Sequence, residues 1–198
     1  ELWRTDGTAA GTEVFVDRIG PSTSLTVYGG LLWFRGWDEA NGAEPWISDG
    51  TEAGTMLLAD LEPGPGDSDP EFFTGAGSLV YFSASTTASG TELFATDGTA
   101  AGTFLVTEIE PGPGGSSPSE LTAFGTLLLL SATETTSGTE VWRSDGTASG
   151  TFRIDINPGS GGSFPTFFGE VGGAMLFRAT DGSTGYELWK TNGTTVLQ

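Results

Sequence analysis

The chain has 198 residues, with 26 acidic side chains against 7 basic ones and a net charge of −19. The few cations are scattered, so phosphate-backbone recognition by counterion release is excluded, and an anionic membrane surface would repel the chain. Cysteine and histidine are both absent, which removes disulfides, thiolate or Ser-His catalysis, and metals held by either residue. No apolar run approaches the roughly 18 residues that a membrane-spanning helix needs.

Five segments in chain order open on the same pattern. They are ELWRTDGTAAGT from Glu1, EPWISDGTEAGT from Glu44, ELFATDGTAAGT from Glu92, EVWRSDGTASGT from Glu140 and ELWKTNGTTVLQ from Glu187. Their starts are 43, 48, 48 and 47 residues apart. The chain therefore divides into repeats 1–43, 44–91, 92–139 and 140–186, with a closing partial repeat 187–198, as one repeat domain over 1–198. It starts inside a repeat without Met, which reads as a processed or excerpted chain.

The unit opening at Glu92 shows the element order. ELFAT is short and β-prone, DGTAAG is a turn, and TFLVTEIE alternates apolar and polar side chains as a half-buried strand does. PGPGGSSPS cannot be regular structure. ELTAF is a third short strand, and Gly125-Thr126 turns the chain into the apolar run LLLLSA. No window carries a 3.6-residue period, so no helix is expected.

Four short strands per unit match one blade of a β-propeller, which buries its two faces only against neighbouring blades. The expected fold is all-β, a four-bladed β-propeller of four-stranded antiparallel blades. The alternatives are part of a larger propeller or an open β solenoid. Trp3, Trp46, Phe94, Trp142 and Trp189 are expected to fill the gaps between blades. Residues 187–198, with a tight Asn192-Gly193 hairpin, are expected to pair into the first blade and seal the ring.

The string ELWxxDGTxxGT, followed by a hydrophobic strand, a PGxxGS loop and an LLFxA strand, resembles the bacterial ELWxxDGT-repeat (hyalin-like) family. The resemblance covers nearly the whole chain. It implies propeller-type repeats in secreted or cell-surface proteins and says little about biochemistry. The last copy departs from the pattern, with Asn192 in place of Asp, and the first has a shortened loop at Gly20-Pro21-Ser22-Thr23.

Several residue groups are candidates for chemistry. Asp6, Asp49, Asp97 and Asp145 each precede Gly-Thr. An Asp there accepts backbone N–H bonds as an Asx-turn, and repetition in every unit favours scaffold over metal. The glutamates Glu1, Glu44, Glu92, Glu140 and Glu187 keep their identity in all five copies, which points to carboxylates bonding backbone N–H groups of a neighbouring turn. Asp60, Glu62, Asp67 and Asp69 cluster around Pro63-Gly64-Pro65-Gly66, and with loop carbonyls they form the best candidate set for Ca²⁺; a solvated acidic surface is the alternative. Asp38, Thr86, Glu134 and Asp181 occupy a variable loop position read as exposed. Asn192-Gly193-Thr194 is a glycosylation acceptor sequon. Trp37, beside Asp38, is the aromatic best placed to stack on a sugar.

No histidine or cysteine base or nucleophile exists, and a glycosidase would need two carboxylates at a defined separation, so a non-enzymatic role is expected. The leading reading is an extracellular or cell-surface structural module that self-associates, polymerising into filaments through terminal strand pairing. The alternative is a propeller that binds glycans or proteins, in adhesin fashion and with a calcium-dependent variant. Nucleic acid and membrane insertion are not expected partners.

Overall fold

The computed structural model describes residues 2–20 and 23–198; Glu1 and the Pro21-Ser22 pair of the shortened first loop lie outside them. Every regular element among the described residues is a strand, and there is no helix. A two-stranded piece comes first, β1 (Leu2–Arg4) against β2 (Glu13–Val16). Four antiparallel sheets of four strands follow. The first contains β3 (Thr23–Tyr28), β4 (Leu31–Asp38), β5 (Gly42–Ser48) and β6 (Met56–Leu57). The second contains β7 (Glu71–Ala76), β8 (Leu79–Thr86), β9 (Gly90–Thr96) and β10 (Thr103–Thr107). The third contains β11 (Ser119–Phe124), β12 (Leu127–Glu134), β13 (Gly138–Ser144) and β14 (Phe152–Ile154). The fourth contains β15 (Thr166–Val171), β16 (Ala174–Thr180), β17 (Tyr186–Thr191) and β18 (Val196–Leu197).

In each sheet the strands follow one another as a meander, because each connection within a sheet is a short turn. The ELW motif does not begin a sheet. It forms the third strand of each, and the DGTxxGT turn leads into the fourth. The two-stranded piece is thus the third-and-fourth-strand half of a sheet. Residues 187–197 fall on β17 and β18, beside β16, so they complete the fourth sheet and do not pair into the first.

The first strand of each sheet carries a bulge. Ser24, Phe72 and Glu120 occupy equivalent places with φ between 54° and 60°, and the pairing register shifts around each of them. A left-handed non-glycine residue costs strain, and its recurrence marks the bend as part of the unit.

Side chains alternate across each strand, so each sheet has two faces, a rear one toward the preceding sheet and a forward one toward the next. The rear face of the second sheet sets Phe73, Val80, Phe82 and Phe94 against Trp33 and Ile47 of the first. The rings of Phe73 and Phe82 stack with centroids 5.1 Å apart. Its forward face sets Tyr81, Leu93 and Ala95 against Leu128, Leu130 and Trp142 of the third. The same arrangement joins the half-sheet to the first sheet, through Leu2, Val16, Phe34 and Trp46, and the third to the fourth, through Val141, Ile154 and Phe177. A single sheet buries neither face alone, so stability comes from one interface per neighbouring pair.

Trp46, Phe94 and Trp142 lie buried in these interfaces, and Trp189 is half-buried. Trp3 differs from the expectation. It stands on the rear face of the half-sheet, which no sheet of the described residues covers, and is 58% exposed.

Candidate functional site

The DGTxxGT turns are the most regular polar feature. Asp6, Asp49, Asp97 and Asp145 each use Oδ1 to accept the backbone N–H of the Thr two residues on, at 2.8–3.0 Å, and that Thr's hydroxyl at 2.7 Å. The Thr oxygen then accepts the N–H of the second glycine, as from Gly102 to Thr99 at 3.0 Å. That glycine is required sterically, since a Cβ on Gly102 would lie 2.1 Å from Asp97 Oδ1. These bonds hold all four carboxyls below their ordinary value, the Thr hydroxyl contributing most. Asn192 makes the same contacts with its carbonyl oxygen, to Thr194 N–H at 3.0 Å and hydroxyl at 2.8 Å, and is exposed.

The glutamates that open the motif behave differently. Glu44, Glu92 and Glu140 are fully buried. Glu92 accepts four bonds, from Ile109 N–H at 3.2 Å, Glu110 N–H at 2.9 Å, Ser116 N–H at 3.1 Å and Ser116 hydroxyl at 2.6 Å. It thereby pins both ends of the PGPGGS loop that carries the chain to the next sheet. Glu44 holds the loop of its own unit through Leu61, Glu62 and Ser68, and Glu140 through Ile156 and Ser163. Burial pushes all three carboxyls up, against the hydrogen bonds that pull them down. Glu187 is only half-buried, and Glu1 lies outside the described residues.

The four carboxylates around Pro63 take separate partners. Asp60 Oδ2 faces Gly64 N–H at 3.4 Å. Glu62 reaches across to the next sheet, accepting Thr87 N–H at 2.7 Å and the Thr87 hydroxyl, which holds its carboxyl below the ordinary value. Asp67 Oδ1 accepts Ala43 N–H at 2.7 Å, and Asp69 pairs with Arg35 at 2.5 Å. Among the described residues no three acidic side chains converge as a set that could hold a metal ion. Glu110 repeats the Glu62 contact one unit later, through Thr135 N–H at 2.7 Å. This strut between sheets was not apparent in the sequence. Its one signal is a Glu that recurs at the same place before Pro-Gly.

Trp37 and Asp38 end β4. Asp38 is half-buried and spends Oδ1 on the N–H groups of Ala40 and Asn41, both at 2.8 Å, so it shapes the β4–β5 turn. Thr86, Glu134 and Asp181 hold the matching turns and are also half-buried, because the hairpin folds onto its own polar tip. Trp37 stays 43% exposed and borders a cavity of about 360 Å³ with Arg35, Ala43 and Asp67.

On the forward face of the fourth sheet Val171, Tyr186 and Leu188 are 65%, 52% and 58% exposed. On the rear face of the half-sheet Trp3 and its cross-strand neighbour Val14 are bare. Among the described residues β1 pairs on one edge only, whereas its counterparts β5, β9, β13 and β17 pair on both.

No known protein-family model matches this chain, and neither does any curated protein.

Proposed function

We propose that the protein is a non-enzymatic structural module of the extracellular or cell-surface space, whose sheets are blades of a propeller-type array and which self-associates head to tail. The observation that carries this reading is the chemistry of the two ends. Leu188 occupies the place of Leu93 and Val141, which are fully buried under the next sheet. Trp3 occupies the place of Trp46, Phe94 and Trp142, which are buried against the preceding one. Forward faces meet rear faces at every interface inside the chain. A second copy offers the same complement, forward face of the fourth sheet to rear face of the half-sheet. The open edge of β1 supplies unpaired N–H and C=O groups for strand addition. Such a contact uses two different surfaces, so it propagates into a filament when the rotation does not close it into a ring. The −19 charge works against lateral clumping and leaves the apolar ends as the favoured contacts.

The test is sedimentation and electron microscopy over a concentration series. Growing oligomers that disappear in Leu188→Glu and in Trp3→Glu, with unchanged thermal melting of each variant, support the reading. A monomer at every concentration, or assembly indifferent to both variants, refutes it. Point variants are needed because deleting 187–198 would strip Trp189 and Val196 from the core between the third and fourth sheets.

A further inference from the structure

We infer that the cavity beside Trp37 is a glycan subsite for an uncharged pyranose sugar, a binding activity separate from head-to-tail assembly. The cavity, about 360 Å³, lies between the β4–β5 hairpin and the loop after β6, and falls within the range of small-ligand sites, about 300–1,000 Å³. Trp37 offers an exposed ring face as a flat platform. The ring is held from below, because Gly20 packs so closely that a Cβ there would lie 2.6 Å from Trp37 Cε3. Gly20 N–H also donates to the Trp37 carbonyl at 2.6 Å. The polar rim is fixed as well. Asp69 orients Arg35 at 2.5 Å, with Glu71 at 4.0 Å. Asp67 Oδ1 accepts the Ala43 N–H at 2.7 Å, which leaves Oδ2 to accept from an incoming hydroxyl.

The site breaks the repeat, which separates it from scaffold. The cross-strand register puts Ser85, Thr133 and Thr180 where Trp37 stands. Asp67, which precedes Ser68, corresponds to Gly115 before Ser116 and Gly162 before Ser163. In the second and third sheets the place is closed by hydroxyl pairs, Ser85 with Thr91 at 2.6 Å and Thr133 with Thr139 at 2.8 Å. The fourth sheet has Arg178 over the ring of Tyr186 at the matching place, 4.2 Å from its centroid, with the indole replaced by Thr180. Among the described residues the first sheet alone adds a tryptophan and the Asp67 carboxylate to the guanidinium.

Charge selects the ligand class. One cation, Arg35, is already paired with Asp69 and Glu71 and shares the cavity lining with Asp67, in a chain of net charge −19. Sugars bearing carboxylate or sulfate are repelled. A cage for a cationic amine would need several aromatic walls, and Trp37 is the one aromatic among the described residues that line the cavity. A neutral sugar ring matches what remains, with C–H faces for the indole and vicinal hydroxyls for Arg35 and Asp67.

The test is affinity electrophoresis through gels containing neutral glucan, mannan or galactan, with alginate as the anionic control, run on the full chain. Retardation by at least one neutral polymer and none by alginate is expected. Trp37→Ala should weaken binding at least about tenfold, Asp67→Ala several-fold, and Trp37→Tyr should restore part of it. Thermal melting confirms that each variant is folded, and Leu188→Glu should bind as the parent does, which keeps this result separate from assembly. Failure of every neutral polymer, preference for alginate, or full binding by a folded Trp37→Ala variant overturns the proposal.

Discussion

The second and fourth sheets carry the same motif in different surroundings, and the contrast separates what a unit holds by itself from what its neighbour supplies. In the second, Glu92 and Leu93 are fully buried. In the fourth, Glu187 is half-buried and Leu188 is 58% exposed. The turn chemistry survives in both, since Asp97 and Asn192 each accept the N–H and hydroxyl of the Thr two residues on. Local bonds therefore persist wherever the motif occurs. Burial of the forward face, and the four-bond cradle around the glutamate, require the loop and sheet that follow.

The largest expected effect breaks that cradle. Glu92→Ala leaves two buried N–H groups, a half-buried one and a buried hydroxyl without acceptors. At about 1–3 kcal/mol for each orphaned group, offset by the released cost of burying a carboxylate, the loss is about 3–5 kcal/mol. Glu187→Ala should cost under about 1 kcal/mol. Urea unfolding of both variants measures the difference, and equal losses would show that the cradle is not what stabilises the interior sheets.

Next comes the forward face. Leu93→Ala opens a cavity between the second and third sheets and should cost about 3 kcal/mol, while Leu188→Ala should change monomer stability by less than about 0.5 kcal/mol. Hydrogen exchange sharpens the same comparison. Amides of β16 and β17 should exchange before those of β8, β9, β12 and β13, because the fourth sheet is buttressed on one face only. Uniform protection across the four sheets would contradict an array held by one interface per neighbour.

The repeat spacing in the sequence was enough to read strands and their number per unit, because alternation and Asp-Gly turns are local signals. The phase of the unit was not legible. ELW is the most regular string and reads as a beginning, but regularity follows the bonding demands of the Glu and the turn, and these sit on the third strand of a sheet. Residues 187–198 read as a ring seal for the same reason: a unit starting at ELW leaves them without a sheet of their own, whereas they are the third and fourth strands beside β16. Phe72 in a left-handed bulge gave no signal at all, since nothing in its chemistry favours that backbone. At the candidate site Trp37 stood out by type. The sequence groups Asp67 with Asp60 and Glu62, which the fold directs to other partners, and with Asp69, which it keeps beside Arg35; Arg35 becomes relevant only once β4 brings it to the same face.

A smaller effect lies in the pH dependence. Burial raises the carboxyls of Glu44, Glu92 and Glu140. A native state that holds protons more tightly than the unfolded chain gains stability as pH falls, and loses it as pH rises through the raised value. Glu62, Glu110 and the turn aspartates are lowered by their hydrogen bonds, chiefly to Thr hydroxyls. Their contribution is present above the unfolded-state values, 4.5 for Glu and 3.8 for Asp, and disappears as pH falls through the depressed ones. The two trends place the stability maximum on the acid side of neutral, above the ordinary carboxyl range. Urea midpoints from about pH 4 to pH 8 should show it, with the rise on acidification shallower in Glu92→Gln. A maximum at or above neutral would mean that the buried glutamates are ionised without penalty.

The smallest effect tests the part of the motif that needs no neighbour. Asn192 already does in the fourth sheet what Asp97 does in the second, using a carbonyl oxygen in place of a carboxylate. Asp97→Asn should therefore shift the melting temperature by at most about 2 °C, whereas Asp97→Ala, which removes the acceptor, should lower it further. Calcium or a chelator should leave parent and Asp97→Asn melting alike, because the accepting oxygen is committed to Thr99 and, among the described residues, no three acidic side chains gather there to hold a metal. A melting temperature that rises with calcium in the parent and not in the Asn variant would instead make the turn a cation site, and its repetition would then count ligands as well as turns.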